Sequence, residues 1–294
     1  MRIVAVFGPT AAGKTGVAVA LGELLRERGE APVAISCDAI QVYEGLEALS
    51  GAASADERAR LEHRLLAFLP VEEEFSAGRF AELAHAEIDR LLEEGRRPIV
   101  VGGTGLYLRA ALADLDLRPR VPPAVRAAVE REIAERGLAA VRGELDPEVA
   151  ATVHPNDRKR IARLAELQRV GIAPHLTSDE LWSEHLRRPA LLVGLAVDRD
   201  ELARRVAVRV DAMAAADAGG EARRALERGA SRTARAAIGF DEFLGGDVEA
   251  VKRAHLAYAR RQLTWMRKTP GVRLIDRSGR DDASVAADIA AEIA

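Results

Sequence analysis

The fold is decided by residues 3–15, which read IVAVFGPTAAGKT. The apolar run at residues 2–7 is typical of a strand that is buried on both faces. Residues 8–15 fit the pattern G-x-x-x-x-G-K-[ST], in which glycines let the backbone curl so that its N–H groups face an anion. Residues 13–28 follow with apolar side chains at helical spacing. The stretch therefore predicts a strand, a phosphate-binding loop and a helix in direct succession.

The rest of the chain continues this alternation of strands and helices. Apolar strands separated by helices specify a parallel sheet covered on both faces, so we predict an α/β fold of the P-loop type. Ligands bind such sheets beyond the carboxyl ends of the strands. Polar or glycine-rich segments follow three strands there: 8–15, 38–43 and 102–107. The other predicted strands are 32–36, 98–101, 191–197 and 272–276, and the longer predicted helices are 76–95, 202–214 and 248–266.

One long segment interrupts the alternation with helical spacing and no strand pattern. We predict a helical insertion at residues 117–188 within a catalytic core formed by residues 1–116 and 189–294. Residues 1–116 carry 12 Lys and Arg against 19 Asp and Glu, whereas residues 117–294 carry 31 against 27. The change of sign indicates a polyanionic partner for the second part of the chain, although solvated helix faces produce the same composition.

Composition narrows the class of protein. A single cysteine, Cys37, excludes an intrachain disulfide framework and a zinc site made of several cysteines. The chain has no run of 18 uncharged apolar residues, and the first apolar run ends at Gly8, so neither a membrane span nor a signal peptide is predicted. We therefore expect a cytoplasmic protein that has no membrane partner and acts as a monomer.

The loop and one carboxylate indicate the chemistry. Lys14 is placed to reach phosphate oxygens, and the Thr15 hydroxyl is placed to bind Mg²⁺. A nucleotide hydrolase normally has an acid after an apolar strand to hold magnesium, but the strand at 98–101 is followed by Gly-Gly-Thr. Asp38 does follow a strand, and it suits either a general base or a turn cap. The loop alone leaves hydrolase, kinase and transferase open.

Five ordered motifs resemble those of the bacterial tRNA dimethylallyltransferases, over about residues 3–268. Members of this family transfer a dimethylallyl group from dimethylallyl diphosphate to N6 of the adenosine 3′ of the anticodon, and they need Mg²⁺. The resemblance implies that the loop holds the prenyl diphosphate and that the adenine is flipped out of the anticodon stack. The motifs are GPTAAGKT at 8–15, SCDAIQVY at 36–43, VGGTGLYLR at 101–109, HPNDRKRIAR at 154–163 and ARRQLTW at 259–265.

The resemblance also assigns the site residue by residue, and it assigns the helical insertion to tRNA binding at the anticodon stem-loop. The implied catalytic residues are Asp38 as general base, Thr104 and Lys14. The implied diphosphate-binding residues are Gly8, Thr10, Ala11, Ala12, Gly13, Lys14 and Thr15, with Thr15 as the magnesium ligand. The implied tRNA-binding residues are Asp38, Gln41, Thr104, Arg126, Lys159, Arg160, Arg163, Arg260, Arg261 and Gln262.

The sequence departs from the family pattern at the second motif. Ala39 stands where the family usually has serine, and residues 48–52 read ALSGA where the family has I-G-T-A-K, so a basic residue near the channel is missing. Two alternative functions stay open. A prenyltransferase for free adenine nucleotides would share the loop and Asp38 but lack most of the insertion at 117–188. A P-loop kinase would need an adenine pocket and a lid arginine cluster, which the sequence does not display.

Overall fold

The computed structural model describes residues 2–173 and 180–293. These residues form two compact units. The sheet unit consists of residues 2–115 and 180–293, and the helical unit consists of residues 116–173. The predicted insertion also includes residues 174–179, which lie outside the described residues.

The sheet unit is built on parallel strands. They are β1 (Ile3–Phe7), β2 (Pro32–Ser36), β3 (His63–Arg64), β4 (Arg97–Gly102), β5 (Ala190–Ala196) and β6 (Val272–Asp276). Their order is β3-β2-β4-β1-β5-β6, and every neighbouring pair is parallel. Every residue of β1 and β2 is buried, as expected of apolar strands that are covered on both faces. The predicted α/β fold with a parallel sheet is confirmed.

Helices connect the strands and form the whole of the helical unit. The helices before the helical unit are α1 (Lys14–Glu27), α2 (Glu47–Ser50), α3 (Ala55–Arg60), α4 (Ala77–Glu93) and α5 (Gly105–Leu112). The helical unit contains α6 (Pro123–Arg136), α7 (Leu138–Gly143), α8 (Pro147–Ala151) and α9 (Arg158–Arg169). The later helices are α10 (Arg199–Ala215), α11 (Ala218–Glu227), α12 (Phe240–Leu244), α13 (Val248–Lys268) and α14 (Asp282–Ile293), and a 3₁₀ turn lies at Glu180–Trp182.

Each unit has its own apolar core. In the sheet unit, Val17 and Leu21 of α1 pack with Ile289 of α14 against the sheet residues Val4 and Val193. This packing fixes the start of α1, and therefore the loop before it, on the rigid sheet. The core of the helical unit is formed by side chains at helical spacing on α6 and α9, namely Val129, Ile133, Ile161 and Leu164.

Two features of the sheet unit differ from the predictions. The strand β3 was not predicted, because it has only two polar residues and gives no periodic signal, yet it pairs with β2 at the sheet edge. Residues 180–188 were predicted to belong to the insertion but group with the sheet unit. There the backbone N–H of Arg187 donates to the Leu112 carbonyl (2.9 Å), and its guanidinium pairs with Asp89 (3.0 Å).

The strand order determines where the site forms. Because β2, β4 and β1 are neighbours, the segments 8–15, 38–43 and 102–107 leave the sheet side by side at its carboxyl edge. Within the described ranges, no helix combines the length and the apolar character that crossing a bilayer requires.

Candidate active site

The loop between β1 and α1 has the backbone geometry of an anion cradle. Gly13 has a φ of 84°, and Ala11 has a φ of 64°, a region that residues other than glycine rarely adopt. Such strained residues cluster where a backbone is shaped around a ligand. The helix α1 begins at Lys14, so its N-terminal N–H groups and its dipole face the same space. The Lys14 ammonium donates to the Pro9 carbonyl (2.8 Å), which holds the side chain over the loop.

A cavity of about 810 Å³ opens beside this loop, at the carboxyl edge of the sheet. Among the predicted diphosphate-binding residues, Thr10, Gly13, Lys14 and Thr15 line it. Gly8 and Ala12 of the same loop are buried and are not among the residues that line the cavity. A Cβ on Gly8 would lie 3.2 Å from that of Leu195. Polar and apolar groups from other elements complete the lining: Asp38, Ile40, Gln41, Leu49, Phe75, Thr104, Tyr107, Arg209, Met213, His255, Tyr258 and Gln262.

Two cations in the cavity are poorly solvated. Burial and, to a smaller extent, the charge of Arg209 lower the pKa of Lys14 to about 7, against the opposing charge of Asp38. Burial likewise lowers the pKa of Arg209. Taking a cation out of water without a carboxylate partner costs free energy, which an anionic ligand recovers when it binds. The two side chains therefore make the cavity receptive to a polyanion.

Arg209 was not predicted as a site residue. It supplies a basic group beside residues 48–52, a segment that lacks the basic residue of the family pattern. Its Nη2 donates to the carbonyls of Ser50 (3.2 Å) and Gly51 (3.1 Å). Its Nε is buried and has no hydrogen-bond partner among the described residues. The residue lies on α10, far along the chain from every motif. Only the folded chain brings Arg209 to the cavity that Lys14 also lines.

Asp38 lies at the end of β2, where the sequence predicted it, and its carboxylate is held in a fixed orientation. Its Oδ1 accepts hydrogen bonds from the backbone N–H groups of Ile40 (2.9 Å) and Gln41 (3.4 Å). The carboxylate lines the cavity, and its charge affects the pKa values of Lys14 and Tyr258. The turn-cap interpretation is therefore confirmed, and the general-base interpretation stays a prediction that is compatible with it.

Gln41 lies beside Asp38 with a defined amide orientation. Its Oε1 accepts from the Ser36 hydroxyl (2.9 Å), and its Nε2 donates to the Gly51 carbonyl (3.2 Å). A primary amide has two N–H groups and two acceptor lone pairs, so each end of Gln41 keeps capacity for a ligand. The amide is thus positioned to present one donor and one acceptor to a planar group in the cavity.

Thr104 lies between β4 and α5, directly before the first residue of α5, and is paired with an aromatic hydroxyl. Its Oγ1 lies 3.1 Å from the hydroxyl oxygen of Tyr258, which belongs to α13. Burial, with a smaller contribution from the charge of Asp38, raises the pKa of Tyr258 above its ordinary value, so the phenol stays neutral. The guanidinium of Arg261 lies over the Tyr258 ring, 5.5 Å from its centroid. Tyr258 therefore connects the basic face of α13 to the cavity.

Gln262 is buried and joins two loops of the site. Its Oε1 accepts from the Thr10 backbone N–H (2.7 Å), and its Nε2 donates to the Gly103 carbonyl (2.8 Å). A Cβ on Gly103 would lie 2.1 Å from Nε2, so only glycine permits this contact. Its assignment to tRNA binding stays a prediction that these hydrogen bonds do not support. Its neighbours Arg260 and Arg261, predicted to bind tRNA, are exposed.

The predicted tRNA-binding residues of the helical unit fall into two groups. Arg126 and Arg163 both pair with the buried carboxylate of Glu166, at 3.3 and 3.1 Å. Lys159 and Arg160 are exposed near the start of α9. Arg126 and Arg163 therefore contribute to the structure of the unit. Lys159 and Arg160 are exposed, with Arg160 3.6 Å from Asp157, and their assignment to tRNA binding stays a prediction.

The residues of the cavity fit a magnesium ion that is shared with a ligand. Within the part of the chain that the structure describes, no three His, Cys, Asp or Glu side chains form a metal-binding group. Mg²⁺ often takes only one or two protein oxygens together with phosphate oxygens. The Thr15 hydroxyl, at the start of α1 and on the cavity wall, is an oxygen of this kind. This donor set suits an ion that arrives with a diphosphate.

Comparison with known proteins gives consistent matches over most of the chain. A family model described as IPP transferase matches residues 41–269. The chain is 42% identical over 290 residues to a tRNA dimethylallyltransferase of Anaeromyxobacter sp. (strain K), a match that covers 92% of each protein. It is 37% identical to a tRNA dimethylallyltransferase of Thermobifida fusca, with 92% of this chain and 88% of that protein covered.

A solved structure shows the same fold. The full-length tRNA isopentenylpyrophosphate transferase from Bacillus halodurans superposes with a TM-score of 0.71 at 31% sequence identity. The match covers 99% of this chain and 95% of that chain. The similarity therefore includes both the sheet unit and the helical unit.

Proposed function

Because this chain belongs to the IPP transferase family, we propose that it transfers a dimethylallyl group from dimethylallyl diphosphate to N6 of the adenosine 3′ of the anticodon in tRNA. One observation carries this proposal: a single cavity brings together the phosphate loop, the cations Lys14 and Arg209, and the carboxylate of Asp38. The cavity therefore offers cationic groups to a diphosphate ester and a carboxylate that can accept a proton from a nucleophile.

The donor's diphosphate binds at the start of α1. The N–H groups at the start of α1 face it, and Lys14 and Arg209 approach its oxygens from the cavity wall. Negative charge grows on the diphosphate as its C–O bond breaks, so these fixed donors stabilise the transition state more than the ground state. The apolar side chains of Leu49, Phe75 and Met213 line the same cavity and provide a surface for the dimethylallyl tail.

Thr15 would hold a Mg²⁺ ion through its hydroxyl, with diphosphate oxygens as the other ligands. When bound, the ion neutralises charge on the leaving group. Thr10 supports the same region, since its backbone N–H is fixed by Gln262 (2.7 Å).

The acceptor adenine lies between Asp38 and Thr104. Its N6 nitrogen attacks C1 of the dimethylallyl group, the C–N bond forms as the C–O bond breaks, and diphosphate leaves. The amine becomes more acidic as it bonds to carbon, and Asp38 accepts the N6 proton. Gln41 and the Thr104 hydroxyl orient the base, with Thr104 itself oriented by Tyr258 (3.1 Å).

The tRNA is held by exposed cations around its anticodon stem-loop. Arg260 and Arg261 on α13 and Lys159 and Arg160 on α9 are all exposed and offer charge to phosphates. The target adenine must leave its stack to reach the cavity, and unstacking one base costs a few kcal/mol. Contacts to the surrounding stem-loop offset this cost.

We propose further that the enzyme works as a monomer in the cytoplasm. The phosphate loop, Asp38 and Thr104 all line one cavity of this chain, so the proposed chemistry does not call for a residue of a second copy. A specific activity that falls on dilution, together with a larger mass by light scattering at high concentration, would contradict the monomer.

Mass analysis of tRNA nucleosides tests the function directly. Unmodified tRNA is incubated with dimethylallyl diphosphate and Mg²⁺, then digested, and an adenosine carrying one added dimethylallyl group is expected. Adenosine monophosphate and an isolated anticodon stem-loop are compared under the same conditions. We expect product from the stem-loop and none from the nucleotide, because the nucleotide lacks the stem-loop contacts. Preference for the nucleotide would reject tRNA as the acceptor, and ATP-dependent phosphorylation without prenyl transfer would reject the reaction class.

A further inference from the structure

We propose that Glu221 is a positioning residue for both substrates, because it fixes the helix α2 whose last carbonyls hold Gln41 and Arg209. The carboxylate itself touches neither substrate. This inference rests on the proposed function, in which Gln41 orients the adenine and Arg209 binds the diphosphate.

The first link is between α11 and α2. The Glu221 Oε1 accepts from the Ala48 backbone N–H (3.0 Å), and its Oε2 accepts from the Leu49 backbone N–H (2.8 Å). Hydrogen bonds to a carboxylate are stronger than those between neutral groups. Both oxygens of one side chain, 172 and 173 residues away in sequence, are therefore committed to a single short helix.

The second link is the dependence of α2 on outside contacts. The helix has four residues, Glu47–Ser50. Helices of this length are not stable by themselves, because nucleation costs more than so few hydrogen bonds return. Its position must therefore come from packing, such as that of the buried Leu49, and from the carboxylate clamp. Glu221 is half-buried, and burial raises its pKa against the opposing effect of these two N–H bonds.

The third link is a shared carbonyl at the end of α2. The Gly51 oxygen accepts from Arg209 Nη2 (3.1 Å) and from Gln41 Nε2 (3.2 Å). Gly51 has a φ of 57°, and a Cβ there would lie 2.1 Å from Arg209 Nη2, so only glycine allows the close approach. One backbone oxygen thus connects the residue that orients the adenine to the residue that binds the diphosphate.

These links predict an effect that neither Gln41 nor Arg209 would produce alone. If α2 shifts, both side chains lose an anchor and the cavity must order them again when substrates bind. Binding of donor and acceptor should weaken together. The Asp38 carboxylate is held by its own turn, so proton transfer should be affected less.

The test compares Glu221→Gln with Glu227→Gln, a matched control at an exposed position of the same helix. We expect Glu221→Gln to raise KM for both dimethylallyl diphosphate and the anticodon stem-loop by roughly 3- to 30-fold. The effect is smaller than the full loss of two charge-assisted hydrogen bonds, because the amide oxygen can still accept from one of the two N–H groups. We expect kcat to fall as well, because Arg209 also stabilises the leaving diphosphate, and we expect Glu227→Gln to match wild type. A purely structural role would instead lower Tm and the active fraction while leaving both KM values unchanged, which would overturn the proposal.

A second variant approaches the same carbonyl from the other side. Gly51→Ala places a methyl group against Arg209 and should also raise both KM values, even if Glu221→Gln folds poorly. An increase in only one of the two KM values in both variants would overturn the shared link.

Direct binding separates this proposal from the proposed function. Calorimetry with inorganic pyrophosphate, and separately with the stem-loop, needs no turnover. If wild type transfers no prenyl group, the proposed function fails. Glu221 is still supported if its variant binds both probes more weakly than wild type, and it is rejected if the variant binds both equally well.

Discussion

The cavity and the helical unit both contain arginines, but they use them differently. In the cavity, Arg209 donates to backbone carbonyls, and burial lowers its pKa. In the helical unit, Arg126 and Arg163 pair with the buried Glu166. A carbonyl orients a guanidinium without cancelling its charge, whereas a carboxylate neutralises it. An arginine held by carbonyls is therefore available to an anionic ligand, and an arginine held by a carboxylate mainly supports the structure.

Lys159 and Arg160 on α9 differ from both kinds of arginine, because their side chains are exposed to solvent. Arg160 and Lys159 remain in water, so their contribution to binding a polyanion comes mainly from counterion release and depends on salt. Changes in the cavity should therefore affect the chemical step, while changes at these cations should affect only tRNA affinity. Single substitutions in the cavity and on α9 test this division.

Asp38→Asn should give the largest loss of activity. The asparagine oxygen can still accept from the Ile40 N–H, so the turn keeps its shape while the base is removed. We expect kcat to fall by about 10²–10⁴-fold, the usual contribution of general-base catalysis. Single-turnover product formation measures the fall, and tRNA binding by filter retention is the control. Turnover close to that of wild type would show that Asp38 is not the general base.

Lys14→Ala should weaken donor binding and slow the chemical step together. The ammonium contacts charge that grows on the leaving diphosphate, so its loss affects the transition state most. We expect kcat to fall by about 10²–10³-fold, the range for removing one such donor, and KM for the donor to rise. Steady-state kinetics at varied dimethylallyl diphosphate measure both. If only tRNA affinity changed, the loop would not be the donor site.

Tyr258→Phe should have a moderate effect. The change removes only the hydroxyl that contacts Thr104, and we expect kcat to fall by about 3- to 10-fold, the cost of one neutral hydrogen bond. Because the raised pKa keeps Tyr258 neutral at working pH, the shape of the pH profile should match wild type. Rates measured from pH 6 to about pH 10 test both expectations. Loss of an alkaline limb in the variant would show that the phenol ionises during turnover.

The sequence predicted the parts of the molecule that depend on local pattern. The alternation of apolar strands with helices predicted the parallel sheet, and the loop pattern placed Lys14 at the start of α1. Since neighbouring parallel strands end at one edge, the same reasoning brought Asp38 and Thr104 to a common cavity.

Other parts depend on contacts between distant segments. Arg209 lies in a helix with no motif of its own, and its role appears only once α10 packs beside residues 48–52. Gln262 was found in a basic motif and assigned to tRNA, but the fold turns its amide inward, to Thr10 and Gly103. A linear pattern shows that a residue is present and does not show which way a helix face points.

Arg160→Ala should have the smallest effect. It separates a cation whose ion pair, with Asp157 (3.6 Å), lies in solvent from one that pairs with a buried carboxylate. Arg160 is 67% exposed, so its loss should weaken tRNA affinity only a few-fold at moderate salt and reduce the slope of log affinity against log salt by roughly 0.7 to 0.9. Arg163→Ala should instead lower Tm, because it leaves the buried carboxylate of Glu166 with one partner fewer. Titrations of the stem-loop at several salt concentrations, with thermal unfolding alongside, measure both effects, and KM for dimethylallyl diphosphate is the control. If Arg160→Ala and Arg163→Ala reduced the slope of log affinity against log salt equally, Arg163 would bind tRNA even though it pairs with the buried Glu166.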